Sequence, residues 1–191
     1  MFKEKLNQKL CLITGIFVFI TFCGCATINQ RLISKDDNTR SIAMEEFTKL
    51  KKPDQQKTID ELINLFKNES LEDRSIVENV IIKIGQPAIP YLINYLKTGN
   101  EDVRYSAAYI LGKIKPAKKE VVPALIEAIK DKNQYVAVSA SGALANVGEA
   151  SVSALLRMLW YKDIKVRELA SNALSRIGEP AVLALSEALR D

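Results

Sequence analysis

A segment of about 30 residues recurs five times along the chain, and this recurrence constrains the fold more than any other feature. Taking Arg40, Arg74, Arg104, Ala137 and Arg167 as position zero, successive copies lie about 34, 30, 33 and 30 residues apart. Four residues before each zero stand Asp36, Ser70, Asn100, Asn133 and Asp163. All five are types whose side-chain oxygen accepts a hydrogen bond from an orphan amide in the first turn of a helix. Apolar residues follow at +3, +6, +7 and +10: Ala107, Ile110, Leu111 and Ile114 in the third copy, Ala140, Ala143, Leu144 and Val147 in the fourth, Ala170, Ala173, Leu174 and Ile177 in the fifth. Val77, Val80, Ile81 and Ile84 keep the spacing in the second. It is the i, i+3, i+4, i+7 pattern of one helix face. Only the first copy breaks it, with Glu46 in a core slot.

At +11 come Gly85, Gly148 and Gly178, predicted as left-handed helix stops. At +13 come Pro53, Pro87 and Pro180, suited to the first turn of a second helix. That helix reads IPYLINYLK, VPALIEAIK, VSALLRMLW and VLALSEALR in copies two to five, and KPAKKE in copy three adds about three residues to the bend. A helix–turn–helix unit this small cannot bury its apolar face alone, and stacking the units makes one continuous core. With 191 residues, 48% hydrophobic and 26% charged, the chain has the composition for it.

The segments DVRYSAAYILGKI and KVRELASNALSRIGEPAV resemble HEAT repeats, especially the short type named after phycobilisome lyases. The marks are Val103-Arg104 and Val166-Arg167, the Ala-rich first helix, Ile-Gly, and Pro opening the second helix. The resemblance covers roughly residues 36–191 and implies an all-α fold, a right-handed α-solenoid of about five HEAT-like helix–turn–helix repeats. It also implies that second helices line a concave face. The position-zero arginines would form a ladder with acidic or carbonyl partners, interrupted at Ala137.

Residues 1–9 are polar with a positive excess, residues 10–22 are apolar and uncharged, and small residues follow. This is the order of a secretory signal. Phe22-Cys23-Gly24-Cys25 resembles the lipobox of bacterial lipoproteins, departing from it at Phe22 and Cys23. The resemblance implies a signal peptide over 1–24, a diacylglycerol on the sulfur of Cys25, a short tether over 25–35 and a repeat domain over 36–191. The chain is then expected to be exported and lipid-anchored to a bacterial membrane, the outer one where the organism has two. Extending the apolar run to Ile28 leaves the alternative of an uncleaved helix in the inner membrane.

The chain has no histidine and three cysteines, Cys11, Cys23 and Cys25, of which processing would remove the first two. This leaves no ligand set for zinc, and no metal or cofactor is expected. A net charge of +4 without a concentrated basic face argues against a nucleic-acid partner. No base is placed to activate a serine. Glu45-Glu46 and Glu72-Asp73 are adjacent pairs that diverge on a helix. No catalytic residue is assigned, and the chain is expected not to be an enzyme. The reading that results is a non-catalytic, lipid-anchored scaffold binding an envelope protein. Its alternatives are a self-associating assembly factor and, less favoured, a lyase-like enzyme of the phycobilisome-lyase type.

Candidate binding residues are those of the second helices that fall off the apolar stripe: Asn94, Lys97, Glu127, Lys130, Arg157, Trp160, Glu187 and Arg190. Glu127, Arg157 and Glu187 alternate in sign and could form a ladder between repeats. Trp160, whose equivalents are all Lys or Arg, has two readings: an exposed interface anchor, or a core residue folded with Tyr161 over the repeat junction. Tyr105 and Tyr109, one turn apart on the outer side of a first helix, are either a sticky patch or cover for neighbouring aliphatics. Tyr91 and Tyr95 read as packing between repeats. Val182, Leu185 and Leu189 stand on the last helix and would serve a homo-oligomer through the C-terminal end.

Overall fold

The computed structural model describes residues 27–65, 71–115 and 119–188, and every regular element among them is a helix. The apolar run of residues 10–22, the lipobox and Cys25 lie outside the described residues. Two compact units divide between Lys49 and Leu50. The first contains α1 (Ile28–Leu32) and α2 (Asp37–Lys49). The second contains α3 (Lys52–Leu65), α4 (Leu71–Ile84), α5 (Ile89–Thr98), α6 (Glu101–Lys113), α7 (Val122–Ala128), α8 (Gln134–Val147), α9 (Val152–Met158), α10 (Ile164–Ile177) and α11 (Glu179–Ala188).

The first unit departs from one expectation. Residues 28–32 form a helix, not a tether, because Thr27 and Gln30 make a reciprocal capping box and Leu32 is fully buried. The two helices of the first copy fall into different units. The odd Glu46 has a physical explanation here. Its carboxylate receives a forked hydrogen bond from the Arg31 guanidinium, with Nη1 to Oε1 at 2.9 Å. That hydrogen bond holds the Glu46 carboxyl below its ordinary range. The Glu46 side chain is 44% exposed, so in the first copy this position is not buried and the carboxylate keeps access to water beside Arg31.

In the second unit the helices stack in two layers. First helices pack on first helices, α4 on α6 on α8 on α10, and second helices on second helices, α3 on α5 on α7 on α9 on α11. The fold is an all-α solenoid. The apolar positions of copies two to five are buried except Val147 and Ile177, which are half-exposed. Caps form where the sequence places them. Asn100 Oδ1 accepts from the Val103 amide at 3.0 Å, Asn133 Oδ1 from Tyr135 at 2.9 Å, and Asp163 Oδ1 from Lys165 at 2.9 Å. In the first unit Asp36 accepts from Thr39 at 2.7 Å. Ser70 lies outside the described residues.

The glycine stops differ in detail from expectation. Gly85, Gly148 and Gly178 have φ of 71°, 79° and 79°, but ψ of −129°, −141° and −131°. The backbone is mirror-extended, not left-handed helical, a region that a Cβ closes to other residues. The chain swings out of the first helix and reverses into the second. Prolines then sit at the second position of helical turns, Pro87 in a 3-10 turn and Pro90 and Pro123 in α5 and α7. There the missing amide N–H is one that a helix leaves unpaired anyway.

Candidate binding surface

The arginines at position zero organise the edge where each second helix turns into the next first helix. Arg104 donates from Nε and Nη2 to both carboxylate oxygens of Asp131, at 2.7 and 2.9 Å, and from Nη1 to the Gly99 carbonyl at 2.9 Å. Burial pushes the Asp131 carboxyl up, but the Arg104 hydrogen bonds, the Asn133 amide and the guanidinium charge together hold it below its ordinary value. Arg167 closes its own preceding turn in the same way, donating to the carbonyls of Tyr161 and Lys162 at 2.9 and 3.0 Å. Arg74 reaches Asp102 at 3.4 Å. In the fourth copy Ala137 replaces the arginine, and Tyr161 stands where Asp131 stands one repeat earlier. The pair is lost as a pair, so no unpartnered carboxylate is left in that turn. Lys130 Nζ lies 5.6 Å above the Tyr161 ring instead.

Beside the Arg104–Asp131 pair opens a groove of about 380 Å³ between α5 and α7. Leu96, Ala124 and Ala128 give it apolar walls, Lys97, Glu127 and Lys132 line it with the two paired ions. Of the residues singled out in the sequence, Lys97 and Glu127 are thus brought to one groove. Lys130 joins them by donating to Glu127 at 2.6 Å. Asn94 and Arg157 are exposed on α5 and α9. Glu127 pairs within its own repeat and makes no ion pair with Arg157, so the expected sign-alternating ladder is not formed at that step. Glu187 belongs to α11 with its side chain undescribed, and Arg190 and Leu189 lie outside the described residues. Sequence reasoning missed Asp131 as a groove residue. Its signal in the sequence was weak, because Arg74 and Arg104 take acids from different register positions, Asp102 two residues after the Asn100 cap and Asp131 two before the Asn133 cap.

Trp160 is 90% exposed, which rules out the core reading for its side chain. It does not stand on a second helix. α9 ends at Met158, and Trp160 lies in the hydrogen-bonded turn that follows, its amide donating to Arg157 at 3.4 Å. Lys130 occupies the equivalent turn after α7. Tyr105 and Tyr109 are partly exposed on α6, with Lys113 Nζ 5.3 Å from the Tyr109 ring. Tyr95 packs between repeats and donates its hydroxyl to Asp60 at 3.0 Å; burial and that carboxylate push its pKa up to about 12. Tyr91 is half-buried. Val182 and Leu185 are exposed on α11. Glu45 binds Lys49 at 2.7 Å and Glu46 binds Arg31, so this carboxylate pair is spent on ion pairs. Among the described residues no cluster of acidic or sulfur side chains is placed to hold a metal ion.

Comparison with known proteins places this geometry in a family. The model of HEAT repeats matches residues 59–132, 89–163 and 122–191. No curated protein matches the chain. Among solved structures, the complex of CpcE and CpcF of phycocyanin lyase from Nostoc sp. PCC7120 is similar at 21% identity, covering 70% of this chain and 89% of that one, with a TM-score of 0.53. A designed armadillo repeat protein is similar at 20% identity, covering 84% and 86%, with a TM-score of 0.39. The first likeness corrects the expectation that the chain is no enzyme. A lyase complex is built on this same repeat fold, so missing histidines and nucleophiles are no ground for exclusion. The alternating caps, the two stacked layers and the family match agree: the chain belongs to the HEAT repeat family.

Proposed function

We propose that the protein is a lipid-anchored scaffold of the bacterial envelope, with a partner protein held along its second helices. The observation that carries the reading is the groove between α5 and α7, where apolar walls meet the charged rim of Lys97, Glu127 and Lys132. Recognition surfaces combine an apolar floor with polar residues at the rim in this way. The lipobox resemblance at Phe22–Cys25 supports the anchor. Two or more acyl chains hold a protein on a bilayer stably where one does not.

A photo-crosslinking residue at Asn94 of the full-length chain, in cells, should give one discrete protein adduct. Lys97→Glu in the same chain should suppress that adduct while an adduct from the outer residue Ser139 stays unchanged. A ladder of unrelated adducts insensitive to Lys97→Glu would remove the groove as the site. The anchor is tested separately. Cys25→Ala should abolish incorporation of labelled lipid and leave the precursor unprocessed, and processing at an unchanged position would refute it.

A second reading is favoured by the likeness to the phycocyanin lyase structure, a complex of CpcE and CpcF. On that reading the solenoid is one subunit of a two-chain lyase and the groove receives its protein substrate. Coexpression with CpcF, phycocyanin and a chromophore source should then yield covalently coloured protein only when this chain is present, and colourless protein would sink this reading.

A further inference from the structure

The turns that join α7 to α8 and α9 to α10 lie at the same end of two first helices that pack side by side. Three large apolar side chains project from this edge. Trp160 is 90% exposed in the second turn, Ile164 is 58% exposed as the first residue of α10, and Tyr135 is 74% exposed as the second residue of α8. Nothing in the core explains them, because the neighbouring core positions Val136 and Val166 are already buried.

The polar residues between them are mostly cations. Lys132, Lys162 and Lys165 are exposed on the same two turns. Only two acids share those turns, and both are committed. Asp131 is half-buried and paired with Arg104, and Asp163 caps α10 through the Lys165 amide. Glu101 and Asp102, the first residues of α6, are exposed, and Glu101 accepts from the Asn133 side chain at 2.8 Å, so acidic character begins at the α6 side of the α7–α8 turn. Cationic and aromatic character therefore coincide on the stretch from Lys132 to Lys165.

Protein partners and bilayers leave different chemical marks on a docking surface. A protein interface depletes lysine at its centre. A bilayer interface selects tryptophan and tyrosine, whose rings suit the headgroup level, and lysines that reach the phosphates. Here an almost fully exposed Trp stands two residues from one lysine and five from another, with Tyr135 one repeat away. We propose that this edge docks on a bilayer containing anionic phospholipid, with Trp160 and Ile164 entering the interface and Lys132, Lys162 and Lys165 on the headgroups. The contact is independent of lipid on Cys25, and goes beyond the scaffold reading by fixing which edge of the solenoid faces the membrane.

Trp160 is the sole tryptophan of the chain, so intrinsic fluorescence reports this site alone. The full-length chain, and its Cys25→Ala form, would be added to preformed vesicles of phosphatidylcholine with and without phosphatidylglycerol. Sedimentation records how much chain is vesicle-bound in each case. The expected result, for both forms, is a blue-shifted emission and quenching by brominated acyl chains on phosphatidylglycerol vesicles. Each of Lys132→Gln, Lys162→Gln and Lys165→Gln should lower the ratio of inserted to free Trp160 about five-fold. Ile164→Asp should abolish the shift, and an acidic residue in the first turn of α10 favours that helix, so the fold is kept. Emission unchanged on vesicles that carry the chain would overturn the proposal. So would a shift indifferent to anionic lipid and lysines, or one that grows with protein concentration without vesicles, which would assign the edge to a protein contact.

Discussion

At the residue scale, the informative comparison is between Arg104 and Ala137. Both occupy position zero of their repeats, yet one is bound to a half-buried carboxylate and the other touches none. The sequence alone shows the missing arginine but not the compensating change, because Asp131 and Tyr161 become equivalent only once the turns are superposed. The pair predicts a pH dependence. The folded Asp131 carboxyl sits below its ordinary value of 3.8, so its stabilising contribution is complete above that pH. It is lost as pH falls through the folded value. Asp131→Ala should cost about 1–3 kcal/mol at neutral pH, since it leaves Arg104 partly buried with only the Gly99 carbonyl. The gap in melting temperature between wild type and variant should stay constant from pH 7 to about pH 5 and narrow below pH 4. A gap that persists undiminished at pH 2.5 would mean that the carboxylate charge is not what stabilises the turn.

At the element scale, the first helices were legible almost residue by residue, because caps and a 3.6-residue period are local properties. The second helices were less so. Their apolar runs continue through Trp160 and Lys130, but α9 and α7 end at Met158 and Ala128, and the remainder folds into turns. Hydropathy cannot separate the last turn of a helix from the turn after it, which is why Trp160 read as a helix-face residue. Gly112 was invisible for another reason. It looks like an ordinary small residue of α6, yet a Cβ there would lie 2.6 Å from the Cα and 2.8 Å from the Cβ of Ala143 on α8. The backbones of the two helices touch at this point, and no local pattern encodes that. Gly112→Ala should therefore destabilise the protein, by about 1–3 kcal/mol from overpacking, although alanine is the better helix former. Chemical denaturation would measure it. An unchanged or raised midpoint would show that α6 and α8 can separate at no cost.

At the scale of the whole molecule, the solenoid was readable because periodicity survives in composition even where single residues vary. The division between Lys49 and Leu50 was not, since it depends on which copy packs with which. A stack held together only by neighbours should not unfold uniformly. α6 and α8 are each covered on both sides within their layer and bury Val103, Ala107, Ile110 and Leu111, and Val136, Ala140 and Leu144. α11 is covered by α9 and α10, while Val182 and Leu183 are 63% and 57% exposed. Local opening should thus be cheapest at α11 and costliest at the centre. Native-state hydrogen exchange read by mass spectrometry should find amides of α6 and α8 the slowest and those of α11 faster by at least tenfold. Gly112→Ala should flatten this profile by accelerating α6 and α8 together while α11 changes little, because its neighbours are untouched. If α11 instead exchanges at the rate of α8 in the wild type, the solenoid opens as one cooperative unit, and a surface on any one repeat would then respond to changes in all the others.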